Sequence, residues 1–515
     1  MFSTVISGAV YGIDSCLVHV EADLSSGLPC FIMVGNPGSE VKEAGERVRV
    51  ALKNSGIQMP PMHIAVNISP GDIRKAGTGF DLPVAIAVLA AMEKVPPESV
   101  KDKLFLGELS LDGALKPVCG VLPIVTCAVK EGIQWGIVPH ENAKEAAAVR
   151  EMKAVGARDL KQVIEYLRKP ESKQNQFLPP AGRILWEEAV RETEKENKLD
   201  FIQIQGQEQA KQAAMIAAAG FHHMLIVGPP GAGKTMIARR MPSILPPLSE
   251  EESLEVSALY SISGKLSRGK GLVTRRPFLS PHHTISPQAL SGGGKIPRPG
   301  VISLAHRGIL FLDELPEFKR QTLDLLRQPL EDKEIQISRS GGSFTYPADV
   351  MMIGAMNPCP CGYYPDRNKC RCTPYERHNY LSHLSGPILD RIDICVPVRK
   401  VEIDQLQSGE KGMSSERMRE KVMEARGLQR ERYQGTSYHF NADLAPGDVE
   451  KYCVLGKKEK KLVEKLWRSM DFSARTYHRM LKTARTIADL LGGGDIKEEH
   501  LMQAACYRSG DLLER

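Results

Sequence analysis

Short apolar runs rich in strand-forming residues alternate with longer runs of helical period over the first 168 residues. Alternating apolar positions are typical of half-buried strands, and a period near 3.6 is typical of amphipathic helices. The pattern therefore predicts an α/β domain at residues 1–168. The predicted strands are TVISGAV, CLVHVEAD, CFIMVG, MHIAVNI, KLFLGEL and GIVP, and the predicted helices are EVKEAGERVRVALKNSG, LPVAIAVLAAMEK, LPIVTCAVKEG and ENAKEAAAV.

The pattern changes three more times along the chain. Residues 169–200 begin with KPESKQNQFLPPAGR, which is polar, contains three prolines and lacks periodicity, so this segment is predicted to be a linker. Strand and helix patterns alternate again over residues 201–398, which predicts a second α/β domain. Residues 399–515 are charged and have helical period between breaks such as APGD and GGGD, which predicts a helical lid domain.

Composition and charge narrow the possible functions only a little. At 515 residues the chain is too long for one hydrophobic core, which agrees with two or three domains. The longest apolar run, LPVAIAVLAAM, is shorter than the roughly 20 residues of a membrane span, so no membrane partner is expected. The amino terminus does not resemble a secretory signal, so a cytoplasmic location is expected. The net charge of +6 permits a polyanionic partner without requiring one, because 68 basic residues face 62 acidic residues.

A glycine-rich turn follows the apolar run MLIV and precedes the helix-like MIARRM. The turn matches G-x-x-x-x-G-K-[ST], a pattern in which backbone amides wrap the phosphates of a nucleotide. Lys234 is expected to reach the β and γ phosphates, and Thr235 is expected to bind Mg²⁺. The predicted ATP site consists of Gly228, Pro229, Pro230, Gly231, Ala232, Gly233, Lys234 and Thr235.

Two other strand ends carry residues suited to nucleotide hydrolysis. GILFLDELPEF places Asp313 and Glu314 directly after four apolar residues, so a buried strand would deliver Asp313 to Mg²⁺ and Glu314 to the attacking water. MMIGAMN ends another apolar strand in Asn357, which we expect at the height of the γ phosphate. Alone, an Asn at a strand end is more often a turn residue, so this catalytic role depends on the other two motifs.

Four of the 11 cysteines lie within GAMNPCPCGYYPDRNKCRC, where they form the pattern C-x-C-x8-C-x-C. In a compartment that disfavours disulfides, two close thiolate pairs favour one structural Zn²⁺ in tetrahedral geometry, and unpaired thiols are the alternative. Basic and aromatic residues interleave with these cysteines, as a surface that tracks a nucleic-acid backbone requires. The predicted zinc ligands are Cys359, Cys361, Cys370 and Cys372, and the candidate DNA contacts in this insert, residues 358–373, are Arg367, Lys369 and Arg371.

Two segments on either side of the Asp-Glu strand have less specific patterns. The basic, Pro- and Gly-rich segment before it contains His282 and His283, which we predict to be loop residues because too few ligands accompany them for a metal site. After it, EIQISRSGGSFTYPADV predicts a hairpin whose Ser-Gly-Gly tip presents Arg339. This hairpin fits a finger that contacts DNA, and it fits a solvated turn equally well.

Together these segments resemble the magnesium-chelatase-like branch of the AAA+ ATPases, and more closely the ComM/YifB family. The resemblance covers nearly the whole chain and includes LSGPILDRIDI and SARTYHRMLKTARTIADL. It also includes RPFLSPHHTISPQALSGGGKIPRPGVISLAHRG, which it implies is an insertion that projects toward the pore of a ring. The resemblance implies an AAA+ P-loop core with a parallel sheet, a helical carboxyl-terminal lid and a ring, for which a homo-hexamer is expected.

The same resemblance assigns roles to two arginines. It implies that Arg391 acts as a finger on the neighbouring subunit's nucleotide and that Arg475 is the sensor of the lid. The residues alone leave other roles open. Arg391 lies between two acidic residues and could form an ordinary salt bridge, and Arg475 could be a solvated charge at a helix start.

The amino-terminal domain is similar to the Lon-protease type, an α+β fold of the ribosomal S5 domain 2-like class. The similar segments are KAGTGFDLPVAIAVLAAM and FLGELSLDGALKPVCGVLPIVTCAVKEGIQWGIVPHEN. A peptidase of this type needs a nucleophilic Ser and a Lys, but GFDLPVA stands in the first region and Leu122 and Pro123 stand in the second. We therefore expect a non-proteolytic domain that serves the ring or binds DNA.

The resemblance to the ComM helicases implies an ATP-driven ring motor that acts on single-stranded or branched DNA. Its expected activity is branch migration in recombination during the uptake of transforming DNA. A metal-insertion chaperone of the magnesium-chelatase type is the first alternative, and both the amino-terminal domain and the cysteines are expected to argue against it. An ATP-dependent peptidase is the second alternative, which the missing Ser and Lys disfavour.

Overall fold

The structure is a computed structural model with two α/β units followed by a group of helices. It describes residues 1–183, 186–195, 199–267, 269–294, 297–339, 342–401, 412–470 and 473–508. This architecture agrees with the α/β fold class and the helical carboxyl-terminal region that the sequence predicts. In these residues, no helix combines the length and the apolar character that a membrane crossing needs.

The amino-terminal unit is built on a mixed sheet of seven strands. Its strands are β1 (Phe2–Tyr11), β2 (Asp14–Ser25), β3 (Cys30–Val34), β4 (His63–Ser69), β5 (Lys103–Phe105), β6 (Glu108–Leu109), β7 (Leu115–Lys116), β8 (Trp135–Pro139) and β9 (Lys153–Ala157). The sheet order is β3-β4-β2-β1-β5-β8-β9, and β6 and β7 form a separate pair. β1 pairs with β2 in antiparallel fashion along its whole length, which makes the two strands a long ribbon within the sheet.

Helices cover this sheet and extend beyond it. They are α1 (Ser39–Lys42), α2 (Ala44–Asn54), α3 (Asp81–Ala91), α4 (Pro97–Val100), α5 (Val121–Lys130), α6 (Ala143–Ala146), α7 (Leu160–Arg168), α8 (Glu171–Phe177) and α9 (Trp186–Lys195). Every residue of α3 is buried, because this apolar helix packs against β1 and β2. The segment predicted as a linker, residues 169–200, thus contains α8 and α9. α8 has only seven residues, too few for its period to be visible in the sequence.

The second unit is built on a sheet of five parallel strands, with two antiparallel pairs of strands beside it. The strands of the unit are β10 (Met224–Val227), β11 (Phe278–Leu279), β12 (Gly292–Gly293), β13 (Arg298–Pro299), β14 (Ile309–Leu312), β15 (Glu334–Arg339), β16 (Gly342–Pro347), β17 (Met351–Met356) and β18 (Ile394–Pro397). The antiparallel pairs are β12–β13 and β15–β16. The main sheet has the order β11-β14-β17-β10-β18. β10, β14 and β17 are buried at every position, as strands covered on both faces must be. Because these strands are parallel, they end at the same edge of the sheet.

Helices of this unit pack on the sheet and on the amino-terminal unit. They are α10 (Glu208–Gly220), α11 (Lys234–Ile244), α12 (Glu250–Ile262), α13 (Pro287–Ser291), α14 (Val301–Leu304), α15 (Arg320–Asp324), α16 (Pro329–Asp332), α17 (Pro374–Ser382) and α18 (Gly386–Leu389). α12 packs against α5, and the Gly120 amide donates to the Ser261 carbonyl at 3.1 Å. The Ser261 hydroxyl also donates to Glu145, whose pKa is raised by burial. The two units therefore share a buried polar contact.

The antiparallel pair β15 and β16 forms the predicted hairpin. Residues 340–341 of its predicted tip lie outside the described residues. The ring of Phe344 on β16 packs against Tyr11 at the end of β1, with centroids 4.7 Å apart. The hairpin of the second unit therefore contacts the turn between β1 and β2.

Helices complete the chain after residue 412. They are α19 (Ser415–Arg432), α20 (Val449–Tyr452), α21 (Lys457–Met470), α22 (Ala474–Leu490) and α23 (Glu498–Cys506). Asp393, which precedes β18, accepts hydrogen bonds from Arg479 of α22 and lies 3.3 Å from His222. Burial raises the pKa of Asp393, but Arg479 and His222 lower it by more, so the pKa of this carboxyl lies well below its usual range. This buried charge cluster ties the carboxyl-terminal helices to the parallel sheet.

Candidate nucleotide site and cysteine cluster

The predicted nucleotide loop joins β10 to α11. Gly231 and Gly233 have φ angles of 75° and 88°, a left-handed conformation that favours glycine. Lys234 begins α11, and its Nζ donates hydrogen bonds to the carbonyls of Gly228 at 2.7 Å and Pro229 at 3.0 Å. Burial lowers the pKa of this ammonium group, and nearby carboxylates oppose that shift. A half-buried cation at the start of a helix is suited to bind a polyphosphate.

The three predicted strand ends meet at this loop. Lys234 Nζ also donates to Asn357 Oδ1 at 2.9 Å, and the Thr235 hydroxyl donates to Asp313 Oδ2 at 2.8 Å. A hydroxyl and a carboxylate oxygen are ligands that suit Mg²⁺. The structure thus brings together Lys234, Thr235, Asp313 and Asn357 as the strand pattern predicts.

Glu314 has a partner that the sequence analysis did not assign to the site. Its backbone is left-handed, with φ of 51°, and its side chain is 61% exposed. The carboxylate lies 3.5 Å from Nδ1 of His283, which the sequence suggests is only a loop residue. The signal for this contact is indirect. β11 pairs with β14 in parallel, so residues that follow Leu279 emerge at the same sheet edge as Glu314.

The four cysteines of the insert lie together. Their Sγ atoms all lie within 4.8 Å of one another, and the distances are 3.4 Å from Cys359 to Cys361, 3.7 Å from Cys359 to Cys370 and 3.6 Å from Cys361 to Cys370. Four thiolates around a tetrahedral zinc, at about 2.3 Å each, would be about 3.8 Å apart. The donor set and its spacing therefore fit Zn²⁺.

These thiols change one another's protonation. Burial raises the pKa of the Cys361 thiol, but hydrogen bonds from the Tyr363 backbone and the other cysteines together lower it to about 6. Burial and the neighbouring thiols raise the pKa of Cys372 to about 12. After the first thiolate forms, each further proton leaves against an existing negative charge, so the thiols titrate as a group.

The cysteine loop touches the nucleotide loop. A Cβ added to Gly362 would lie 2.5 Å from Cδ of Pro230, so only a residue without a side chain allows this approach. The same Cβ would lie 3.6 Å from Cγ of Asn357. Two predicted elements of the site, which the sequence separates by more than a hundred residues, are therefore in direct contact.

The outer surface of the cysteine loop is basic. Arg367, Lys369 and Arg371 are exposed, and Lys369 lies 3.4 Å from Asp366. The rings of Tyr363 and Tyr364 are paired with cations, since Lys400 lies over the first and Arg377 over the second. Tyr375 just after the cluster is 73% exposed, and the sequence analysis did not single it out. Its position between a proline and a charged residue is the signal that could have identified it.

The two predicted arginines lie at one shared carboxylate. The guanidinium of Arg391 pairs with Glu331, and Nη2 of Arg475 lies 3.3 Å from the same carboxylate. The acidic neighbours of Arg391 in the sequence are not its partners. Within the described residues, neither arginine forms a hydrogen bond or ion pair with Lys234 or Glu314.

The remaining predicted residues have varied surroundings. Arg339 on the hairpin is exposed, and a Cβ added to Gly293 would lie 3.2 Å from its Nη2. Its side chain therefore lies beside the glycine-rich β12–β13 pair. Leu122 and Pro123 of the amino-terminal unit are buried in α5, where the Leu122 amide donates to Glu145 at 3.1 Å.

Three family models match segments of the chain. A model described as Magnesium chelatase, subunit ChlI matches residues 200–406, and one described as Magnesium chelatase, subunit ChlI C-terminal matches residues 412–508. A third, described as Subunit ChlI of Mg-chelatase, matches residues 20–142. With the nucleotide site described above, these matches define the chain as a magnesium-chelatase-like AAA+ ATPase.

Individual relatives identify the family more closely. The chain is 42% identical to competence protein ComM of Haemophilus influenzae over 98% of this chain and 97% of that protein. It is 41% identical to the uncharacterized protein YifB of Salmonella typhimurium over 98% of this chain and 96% of that protein. The chain belongs to the ComM/YifB family. A Lon protease of Trichlorobacter lovleyi is 24% identical over 31% of this chain and 21% of its own length, in line with the predicted Lon-like unit.

Lys234 and Glu314 are expected to fail at different steps when replaced. Lys234→Ala should weaken ATP binding, because the loop loses its half-buried cation. Glu314→Gln should leave ATP binding intact and lower turnover by about 10²-fold or more, because loss of a general base usually costs 10²–10⁴-fold. Titration with a fluorescent ATP analogue and a phosphate-release assay separate the two effects. Normal turnover by the Glu314 variant would remove the assignment.

His283→Ala is expected to lower kcat about tenfold, less than the loss of the base itself, because Glu314 loses the partner that orients it. KM for ATP should stay within about twofold, since in the described residues no hydrogen bond or ion pair joins His283 to the nucleotide loop. His282→Ala is the matched control, because that ring lies beside His283 with centroids 4.1 Å apart, and in the described residues it forms no ion pair with Glu314. Steady-state ATPase kinetics measure both variants, and equal kcat losses for the two would contradict the role of His283.

Proposed function

We propose that this chain is an ATP-driven ring motor that acts on DNA and migrates branched intermediates of recombination during the uptake of transforming DNA. The observation that carries the proposal is the contact between the cysteine loop and the P-loop. Gly362 packs on Pro230, while Arg367, Lys369 and Arg371 of the same loop are exposed. A change in the P-loop on nucleotide binding would thus reach a basic surface directly.

A role connected with DNA agrees with the name of one relative. The protein of Haemophilus influenzae that is 42% identical over almost the whole chain is named a competence protein. The basic and aromatic residues of the cysteine loop are the types that bind single strands through phosphate contacts and base stacking. Tyr375 extends this surface, because its ring is free of burial over most of its area.

The nucleotide site divides the work of hydrolysis among its residues. Lys234 neutralises the phosphates, and Thr235 with Asp313 would hold Mg²⁺, which supplies charge stabilisation for phosphoryl transfer when bound. Glu314 accepts a proton from the attacking water, and His283 orients its carboxylate. Asn357 accepts a hydrogen bond from Lys234 Nζ at 2.9 Å and so orients the ammonium group that would bind the phosphates.

Cys359, Cys361, Cys370 and Cys372 would hold one structural Zn²⁺ per chain, which closes the loop and leaves no open coordination position. The loop has little apolar core of its own, so the metal would supply much of its folding free energy. The cysteines then keep Gly362 against Pro230 and keep the basic side chains on the outside.

Arg391 is proposed to act on a neighbouring subunit, and Arg475, the sensor of the lid, is proposed to join it there because both contact Glu331. Arg391 and Arg475 converge on one carboxylate, and no contact joins them to the nucleotide loop of their own chain in the described residues. In a ring, here a homo-hexamer, they would complete the next subunit's nucleotide site. An arginine supplied in this way stabilises the charge that develops during phosphoryl transfer.

A metal-insertion chaperone of the magnesium-chelatase type remains the alternative, and one argument against it fails. The amino-terminal unit was expected to be absent from that type of protein, but a model described as Subunit ChlI of Mg-chelatase matches residues 20–142. The argument that remains is the cysteine cluster with its basic surface, which a metal-insertion role does not require.

Removal of the cysteine cluster is expected to uncouple the motor from DNA. The purified protein should contain about one zinc per chain, and Cys370→Ser with Cys372→Ser should lose it. The double variant should keep basal ATPase activity within about threefold and lose stimulation by a four-way junction, because the basic loop loses its shape. Metal analysis and ATPase assays with no DNA, a single strand, a duplex and the junction measure this. Fully active protein without metal, prepared without chelators, would contradict the zinc assignment.

Charge variants separate DNA contact from simple bracing. Lys369→Ala with Arg371→Ala should retain zinc and flatten the salt dependence of DNA binding by about two charges. Lys130→Ala with Lys144→Ala, on the amino-terminal unit, is a control of equal charge. If the two double variants behave alike, the cysteine loop does not contact DNA.

Mixed rings test whether the arginines act between subunits. Arg391→Ala and Lys234→Ala should each abolish most turnover alone, yet mixtures should regain activity, because one type of interface pairs an intact P-loop with an intact arginine. Phosphate release is measured across mixing ratios in rings shown to exchange subunits. Zero recovery at every ratio would exclude action on a neighbour.

A further inference from the structure

One carboxylate holds both of the arginines assigned to the neighbouring site. Glu331 pairs with the guanidinium of Arg391, and its Oε1 lies 3.3 Å from Nη2 of Arg475. The arginines come from distant parts of the chain, before β18 and at the start of α22, and meet only here. The shared partner is the observation from which the inference starts.

Glu331 lies at the wall of a cavity of about 140 Å³ in which basic side chains outnumber acidic ones. Arg479 in this wall is committed to Asp393 at 3.0 Å, and Lys482 donates to the Ala442 carbonyl at 3.0 Å. Arg391 donates to the Pro387 carbonyl at 2.6 Å, and its buried Nε has no partner within the described residues. Asp390 also lines the cavity, but within the described residues Glu331 is the carboxylate that forms ion pairs with Arg391 and Arg475.

Two guanidinium groups that share one carboxylate are spaced to bind one anion. A phosphate also forms bidentate pairs with guanidinium groups, and it offers more oxygens and more charge than a carboxylate. The Glu331 side chain is 54% exposed, so its ion pairs are weakened by water and can be replaced. The Glu331 carboxylate is therefore an anion that another anion could displace from the two arginines.

Glu331 is also close to the foot of the hairpin. It lies on α16, and β15 begins three residues later at Glu334. Between them, the Lys333 carbonyl accepts a hydrogen bond from the Ala348 amide. The Lys333 ammonium group forms ion pairs with Asp349 and with Asp443 of the carboxyl-terminal region. A movement of α16 would thus be passed to both strands of the hairpin.

We propose that Glu331 is the internal counter-anion of the Arg391–Arg475 pair, and that the γ phosphate of the neighbouring subunit's ATP takes its place when the ring closes. Release of Glu331 frees α16 and the foot of the hairpin, so the nucleotide of one subunit sets the hairpin of the next. By linkage, a hairpin that is pulled by DNA makes the arginines available to ATP. This inference rests on the proposed action of the two arginines on a neighbour.

The test compares ATPase rates over a range of ATP concentrations for the wild type and Glu331→Gln. The variant has no competing anion, so the ATP concentration for half-maximal rate should fall about fivefold, the lower end of typical coupling between sites. kcat should stay within about twofold. At low ATP, a single-stranded dT oligonucleotide should stimulate the wild type, while the variant should already run at the stimulated rate without it.

Two variants control for charge and for shape. Asp332→Asn removes a carboxylate from the same short helix, and Asp332 forms no ion pair in the part of the chain that the structure describes. Glu331→Asp keeps the carboxylate. Both variants should show the ATP dependence of the wild type. If they do, the shift in Glu331→Gln comes neither from a general loss of negative charge on α16 nor from a less stable helix.

The outcomes are distinct. A lower kcat with unchanged ATP dependence in Glu331→Gln would mean that Glu331 positions the arginines in the closed ring, and it would overturn the exchange. A raised ATP requirement would overturn it as well. If the wild type is not stimulated by any DNA, the proposed motor function fails, while the shift in ATP dependence still decides the role of Glu331.

Discussion

The nucleotide site depends on two hydrogen bonds, from Lys234 to Asn357 and from Thr235 to Asp313, which join the residues at the carboxyl ends of three parallel strands. They are possible because three parallel strands end together. Val227 pairs with Met356, so the nucleotide loop and Asn357 leave the sheet at the same height, and Leu312 pairs with Gly354, so Asp313 leaves it slightly earlier. A register shift of one residue in any of these strands would turn the polar group at its end to the wrong face. The buried apolar strands therefore fix the chemistry of the site as much as they fix the core.

The residues of this edge could be predicted from the sequence because each stands at the end of an apolar run or within a local motif. The cysteine cluster could be predicted for the same reason, since its ligands lie within fourteen positions. The contact of His283 with Glu314, the sharing of Glu331 by two arginines and the approach of Gly362 to Pro230 could not. Each joins segments whose spacing in the sequence carries no period, and only the tertiary packing brings them together. α8 was missed because a helix of seven residues is too short to display a period.

Charge and hydrophobic packing divide the task of holding the chain together. The parallel sheet joins the carboxyl-terminal helices through Asp393, which contacts Arg479 and a pair of histidines that precede β10. It joins the amino-terminal unit through α5 and α12 and through Glu145 and Ser261. Breaking a buried charge contact by removal of one partner is usually far more costly than loss of a surface ion pair. The nucleotide-binding sheet thus has firm connections on two sides, and its exposed basic loop is the part that can respond.

The contact of Tyr11 with Phe344 connects the β15–β16 hairpin mechanically to the amino-terminal unit. Tyr11 ends the first strand of a ribbon, β1 and β2, in which the ten residues of β1 pair continuously. At about 3.4 Å per residue such a strand is about 34 Å long. Its amino-terminal half is held in the seven-stranded sheet, because Ile6 pairs with Leu104 of β5 and β2 pairs with β4 from His19 to Ser25. Tyr11 lies at the opposite end of the ribbon, so a displacement of the hairpin there would exert a torque on the sheet of the amino-terminal unit.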